Sequence, residues 1–222
     1  MKGALLIPRN KYPEETRQKI LDVARHLFVT KGYEKTTILD IVAGMSGMTR
    51  GAFYHHFKSK DEVFIAIMDK HHAGQNPFSH AQAQTHLNGL EKIKLILKTQ
   101  LAQVVNNGED AELIGMALSL LDNPRMLADH VKSNREVAVP LSAIIQEGMD
   151  DGSIRPGNAL VLAELLMLTI NHWFFPSIYP FDPDTADAKG MVVRDIFEHL
   201  GMPLFDEEMM GLFEGFAQAL DW

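Results

Sequence analysis

Residues 36–57, TTILDIVAGMSGMTRGAFYHHF, leave the backbone few choices. Thr37 and Asp40 have the spacing of a capping box, in which each side chain satisfies a free amide of a helix's first turn. Ile38, Ile41 and Val42 then recur at i, i+3 and i+4, giving one apolar face. Two glycines and a serine between 44 and 47 break that pattern and predict a turn. Thr49 can cap a second short helix, 50–57. In it Phe53 and Phe57, four apart, face inward, while Arg50, Tyr54 and His55 face out. Helix, glycine-bearing turn and helix with a polar outer face make the helix-turn-helix pattern.

The flanks extend this unit. Pro13 suits a helix start, Glu14 and Glu15 favour the positive end of its dipole, and Gly32 stops it. Ile20, Ala24, Leu27 and Phe28 are the expected inner stripe. Ser59 and Glu62 make a second capping box, opening a helix that runs at least to His71 with Val63, Phe64, Ile67 and Met68 as its apolar face. Residues 1–12 lack periodicity and carry Lys2, Arg9 and Lys11, as a disordered basic arm would.

Charge is distributed unevenly. The net charge of -8 divides into eleven Lys/Arg against five Asp/Glu over residues 1–60 and ten against twenty-four over residues 61–222. A basic head on an acidic body directs the head toward phosphate. With no cysteine there is no disulfide framework and no thiolate metal site, which fits a reducing cytoplasm. The only apolar run near membrane-span length, 159–175, carries Glu164, Asn171 and His172 and is expected to be a buried helix in a soluble chain.

Residue identities sharpen the head. Arg17 with Ile20, Leu27-Phe28, Gly32, Thr36-Thr37, Ile41-Val42, Gly47-Met48-Thr49-Arg50-Gly51, Tyr54-His55-His56-Phe57 and Lys60 stand in the order found in one family. Over about residues 14–65 the chain resembles the TetR family of bacterial transcriptional regulators. Val42 and Ser46 replace the usual small alanines, and Thr49 replaces serine as an equivalent cap. The resemblance implies that Thr37, Tyr54 and Lys60 hold backbone phosphates of double-stranded operator DNA. Thr49, Arg50 and His55 are assigned to base edges, which their donors suit, and Gly51 to a close approach of the helix. Arg17 suits either a phosphate or an ordinary surface position.

Beyond the head the pattern stays helical. Ile93, Leu97, Leu101 and Val104 are in register over 90–105. A short apolar helix is expected over 112–121, and Asn123-Pro124 opens a long one to about 150, bent at Pro140 and ended by Asp151-Gly152. Pro156 is read as opening 159–175, with Pro176, Pro180 and Pro183 as a rigid loop, and 186–199 and 206–220 complete the body. Residues 75–88 are polar and carry no clear pattern. No alternating strand occurs. The expected fold is all-α, with a three-helix head over 1–58 and a helical bundle for ligand binding and dimerisation over 59–222.

A head of this kind reads few base pairs, so a two-fold homodimer is expected, its recognition helices roughly 34–36 Å apart. The segment 159–175, with Val193, Ile196, Phe197, Phe213 and Phe216, is the candidate interface. Soft and aromatic groups that could line an apolar effector cavity are Phe64, Met68, Met116, Met126, Met149, Met167 and Trp173. His72, His130 and Asn171 are candidate polar contacts there, with His71 and His172 beside them. The ten histidines form no metal-ligand spacing, and nucleophile, phosphate-loop and dinucleotide motifs are absent, so no catalytic residue, metal or cofactor is assigned. The expectation is a cytoplasmic repressor that leaves its operator when an apolar or amphipathic small molecule binds. A DNA-binding dimer without an effector, and a helical enzyme or carrier that retains the motif, stay open.

Overall fold

The computed structural model describes residues 13–74, 77–106, 108–174, 179 and 183–220. The basic arm and residues Phe175, Pro176 and Pro180 lie outside them. Every regular element among the described residues is helical, and none is both long and apolar enough to cross a membrane. The chain forms two compact units, Met1–Gln75 and Asn76–Trp222.

The first unit holds α1 (Pro13–Lys31), α2 (Ile38–Ala43), α3 (Arg50–Tyr54) and α4 (Lys60–Gly74). Gly32 adopts φ +87° and ends α1 as its position in the sequence requires. Leu21 is buried with Ile20, Ala24 and Phe28, whereas Leu27, assigned to the inner stripe, is only half-buried. Phe28, Tyr33 and Phe64 form an aromatic cluster with centroids 5.1–5.9 Å apart, which fixes α4 against α1. Burial of Val63, Phe64 and Ile67 therefore places α4 with the head, and the unit ends at 75 rather than 58.

The second unit holds α5 (Pro77–Gln82), α6 (Gly89–Asn106), α7 (Gly108–Ser119), α8 (Pro124–Asp151), α9 (Ala159–Leu168), α10 (Pro183–His199) and α11 (Glu207–Ala219). α6 and α8 cross so closely that a Cβ on Gly89 would lie 2.2 Å from the backbone nitrogen of Gly148. Where they meet, Asp151 accepts from the Gly89 amide at 2.8 Å and Ser153 from the Leu90 amide at 3.2 Å, so the end of one helix caps the start of the other. Asn123 caps α8, and Gly152, at φ +82°, closes it. Pro140 lies on the exposed side of α8, inside one continuous helix.

Three expectations change here. Asn158, not Pro156, caps the next helix, accepting from the Val161 amide at 3.1 Å. That helix stops at Leu168 and passes into a π-helical turn, Thr169–Trp173. Pro183 is the first residue of α10 rather than part of a loop, a position where the missing amide costs nothing.

Candidate nucleic-acid interface

The capping box is present in full. Asp40 Oδ2 accepts from the Thr37 amide and hydroxyl, both at 2.7 Å, and the Asp40 amide donates to Thr37 Oγ1 at 3.2 Å. Lys31 closes the group 2.7 Å from the same carboxylate oxygen. The hydrogen bond from Lys31, then those from Thr37, hold the Asp40 carboxyl well below the usual carboxylate range. At Gly44 a Cβ would meet Val23 Cγ1 at 2.7 Å, and Gly47 turns the chain at φ +80°.

Thr49 caps α3, accepting from the Ala52 amide at 3.2 Å. α3 ends at Tyr54, three residues short of the expected boundary, because the last turn closes on the Phe53 carbonyl through the His56 and Phe57 amides. Phe53 and Phe57 remain the inward pair, both sealed in the core. Thr49, Arg50, Gly51, Tyr54 and His55 form the exposed face of this element. The Arg50 guanidinium lies 5.8 Å from the Tyr54 ring centroid. A Cβ on Gly51 would meet nothing nearer than Thr49 Oγ1 at 3.9 Å, so the protein leaves open space there.

Thr37 is exposed at the N-cap of α2. Lys60 is half-buried: its ammonium donates to the Tyr33 carbonyl at 2.7 Å and sits 4.0 Å from that ring's centroid. Tyr33 also donates its hydroxyl to Asp61. One tyrosine thus holds the first turn of α4 through two successive residues. Ser59 accepts from the Glu62 amide at 3.1 Å, while Glu62 accepts from Lys58 rather than Ser59, one residue earlier than a standard box. Arg17 stacks 5.1 Å from the Phe57 ring.

Thr36 escaped the sequence reading as a structural group. Its hydroxyl is buried and donates to the Gly32 carbonyl at 2.8 Å, tying the end of α1 to the start of α2. The clue was a threonine pair at a helix entrance, one member too many for a single cap.

The effector candidates separate. Phe64 belongs to the core of the first unit and Met68 is half-buried there on α4; the His72 side chain lies outside the described ones. Met116 is half-buried on α7. Met149 and His130 stand on α8 nineteen residues apart, roughly 28 Å along the axis, so they cannot share one small cavity. Met126 and His130 share a face of α8, and Met167, Asn171 and Trp173 follow one another on α9 and the π-turn. His130 and His172 meet edge to face with centroids 5.3 Å apart. Val193 and Phe197, assigned to the dimer surface, are sealed in their own unit's core; the apolar groups α10 exposes are Met191, Val192 and Ile196.

Residues 20–67 match the family described as bacterial regulatory proteins, tetR family. The Tn10 TetC protein of Escherichia coli is 26% identical over 183 residues, 81% of this chain and 88% of that protein. The regulator AcrR of Shigella flexneri is 48% identical over 56 residues, a quarter of this chain and 26% of AcrR. SmeT of Stenotrophomonas maltophilia, solved in complex with triclosan, matches with a TM-score of 0.59 and 22% identity over 92% of this chain and 91% of SmeT, a likeness of fold. High identity is thus confined to a short stretch, while weak similarity and a shared fold run through most of the chain. Residues 20–67 thus carry the DNA-binding head of the TetR family of bacterial regulatory proteins, and the all-helical architecture of the chain is similar to that of solved TetR-family regulators.

Proposed function

We propose that this protein is a cytoplasmic homodimeric repressor that reads an operator through the face of α3 and leaves it when a small molecule binds the second unit. The observation that carries the DNA half is the exposure of Thr49, Arg50, Gly51, Tyr54 and His55 on an element whose other side, Phe53 and Phe57, is sealed. Such a face can enter the major groove without unfolding anything. Arg50 and His55 supply base-edge donors; Thr37 and Tyr54 supply hydroxyls for phosphate, and Lys60 keeps two ammonium protons beyond the one given to Tyr33.

Dimerisation is assigned to the outer faces of α9 and α10. Leu160, Val161 and Leu168 on the former and Met191, Val192 and Ile196 on the latter are large apolar side chains exposed in the single chain. A shallow groove of about 420 Å³ lined by Val192, Asp195, Ile196, His199 and Leu200 runs along the same face of α10. Apolar surface on this scale favours a partner, and a two-fold arrangement would present both heads to one duplex.

The effector half is supported by relatives of the same fold, among them SmeT bound to triclosan. In this mechanism the molecule binds one conformation of the body better than another and shifts α4, the last helix before the second unit in the sequence, changing the spacing of the two heads. Release then follows from the difference in affinity for the two states, not from tight binding alone.

Binding-site selection from random duplexes, followed by titration across a salt series, tests the reading. A selected site should show two half-sites about one helical turn apart, with log affinity falling against log salt by about 0.9 per phosphate neutralised. Arg50→Ala should cost about 1–3 kcal/mol of specific binding with the melting temperature unchanged. Unchanged operator affinity would remove Arg50 from the base-reading set, and indifference to all duplexes would overturn the function.

A further inference from the structure

The least expected chemistry in the second unit lies where the first turns of α8 meet the π-turn. Asn171 Nδ2 lies 3.1 Å from Asn134 Oδ1, and Asn134 Nδ2 lies 3.1 Å from His172 Nε2. His130, one turn before Asn134, packs its ring edge to face with that of His172. Neighbouring residues on an α-helix project about 100° apart, so both Asn171 and His172 reaching one side chain is not ordinary helix geometry. Both lie in the π-turn spanning 169–173, whose wider winding narrows the angle between neighbours, and inserted π-turns recur at functional sites.

The relay has a property independent of how the amide is oriented. Asn134 gives one bond and takes one, so the chain Asn171–Asn134–His172 runs in a single sense. With a neutral imidazole one end presents a donor and the other an acceptor, and flipping every group only exchanges the ends. Burial pushes the His172 imidazole below its ordinary value, which keeps it neutral at pH 7. Asn134, Asn171 and His172 are only partly buried, so solvent reaches the relay. Around them stand Met126 on the same face of α8, Met167, whose sulfur is 3.9 Å from Asn171 Nδ2, and Trp173. Polarizable, adaptable groups beside a short polar relay are the makings of a small-molecule site rather than of a helix contact alone.

We infer that Asn134, Asn171 and His172 are the polar end of the effector site, and that it takes an uncharged amphipathic molecule whose hydroxyl or amide both donates and accepts. This rests on the effector reading above and narrows it to a place and a ligand class. A simple anion offers acceptors only and leaves one end of the relay unmatched. A permanent cation would meet no carboxylate among the relay residues.

Three naphthalenes that share a ring system and differ in head group test this: 1-naphthol, naphthalene and naphthalene-1-sulfonate. Each competes with the fluorescent apolar probe N-phenyl-1-naphthylamine on the full-length protein. The expected order is naphthol first, at least tenfold ahead of the other two. Asn134→Leu and His172→Phe, which keep shape and remove the relay, should each erase that preference while the probe still binds. Either variant decides the matter alone, provided its circular dichroism and melting transition match those of the parent. A naphthol preference that survives in a folded variant, or sulfonate binding as well as naphthol, would overturn the site while leaving the effector reading standing. No probe enhancement at any concentration would remove both, and an effector of another class would then have to be shown by operator release.

Discussion

Gly51 occupies the second position of α3, where a side chain would point into empty space instead of into the protein. Alanine there should stabilise the head by up to about 1 kcal/mol, since glycine is among the poorest helix formers. The same methyl would stand between the helix and the floor of a groove. Gly51→Ala is therefore expected to raise the melting temperature slightly and lower operator affinity; a rise in both would show that the duplex does not approach this point. At this scale the sequence was most informative where a residue's job is local. Thr37, Asp40, Thr49, Phe53 and Phe57 act within three or four positions of their partners, so spacing alone revealed them. Asn134 gave no such sign, because its partners lie 37 and 38 residues away and both stand on a turn of unusual winding.

Helices α6 and α8 depend on a crossing in which two glycines replace side chains altogether. Gly89→Ala puts a methyl against backbone, which cannot rotate aside, and should lower unfolding stability by about 1–3 kcal/mol or more in chemical denaturation. Gly148→Ala meets the Ile154 side chain at 2.5 Å, which has some freedom to move, and should lower it less. Equal losses would show that this crossing yields as a whole. The π-turn has its own consequence in acid. His172 is pushed below its ordinary value by burial, so between that lowered value and about 6.5 the unfolded chain binds more protons than the folded one. Its contribution is fully present above about pH 6.5 and is lost as pH falls through that window. His172→Phe should flatten the corresponding part of a stability-against-pH profile, and an unchanged profile would mean that the ring is already open to water. Periodicity revealed the existence of nearly every helix, since Ile93, Leu97, Leu101 and Val104 could share only one face. It could not reveal the π-turn, because an apolar run such as 159–170 has no polar side against which a change of winding would show.

Across the whole molecule, a positively charged head and a strongly acidic body divide one chain between attraction to and repulsion from the duplex. That division was legible from charge alone; the surface proposed to pair two chains was not. Apolar residues of α10 alternate between the interior and the outside, and only packing sorts Val193 and Phe197 from Val192 and Ile196. Ile196→Glu should shift the protein toward monomer in sedimentation and lower operator affinity sharply, because two half-sites would no longer be held by one body. A dimer that persists would place the interface on another face.

Tyr33 ties the loop after α1 to the start of α4 by its carbonyl, its ring and its hydroxyl at once. A joint fastened at three points transmits torque and resists hinging. Whatever rotates the base of α4 would therefore pull on the loop that leads from α1 into α2, so a signal arriving there would reach the entrance of the helix-turn-helix without melting it.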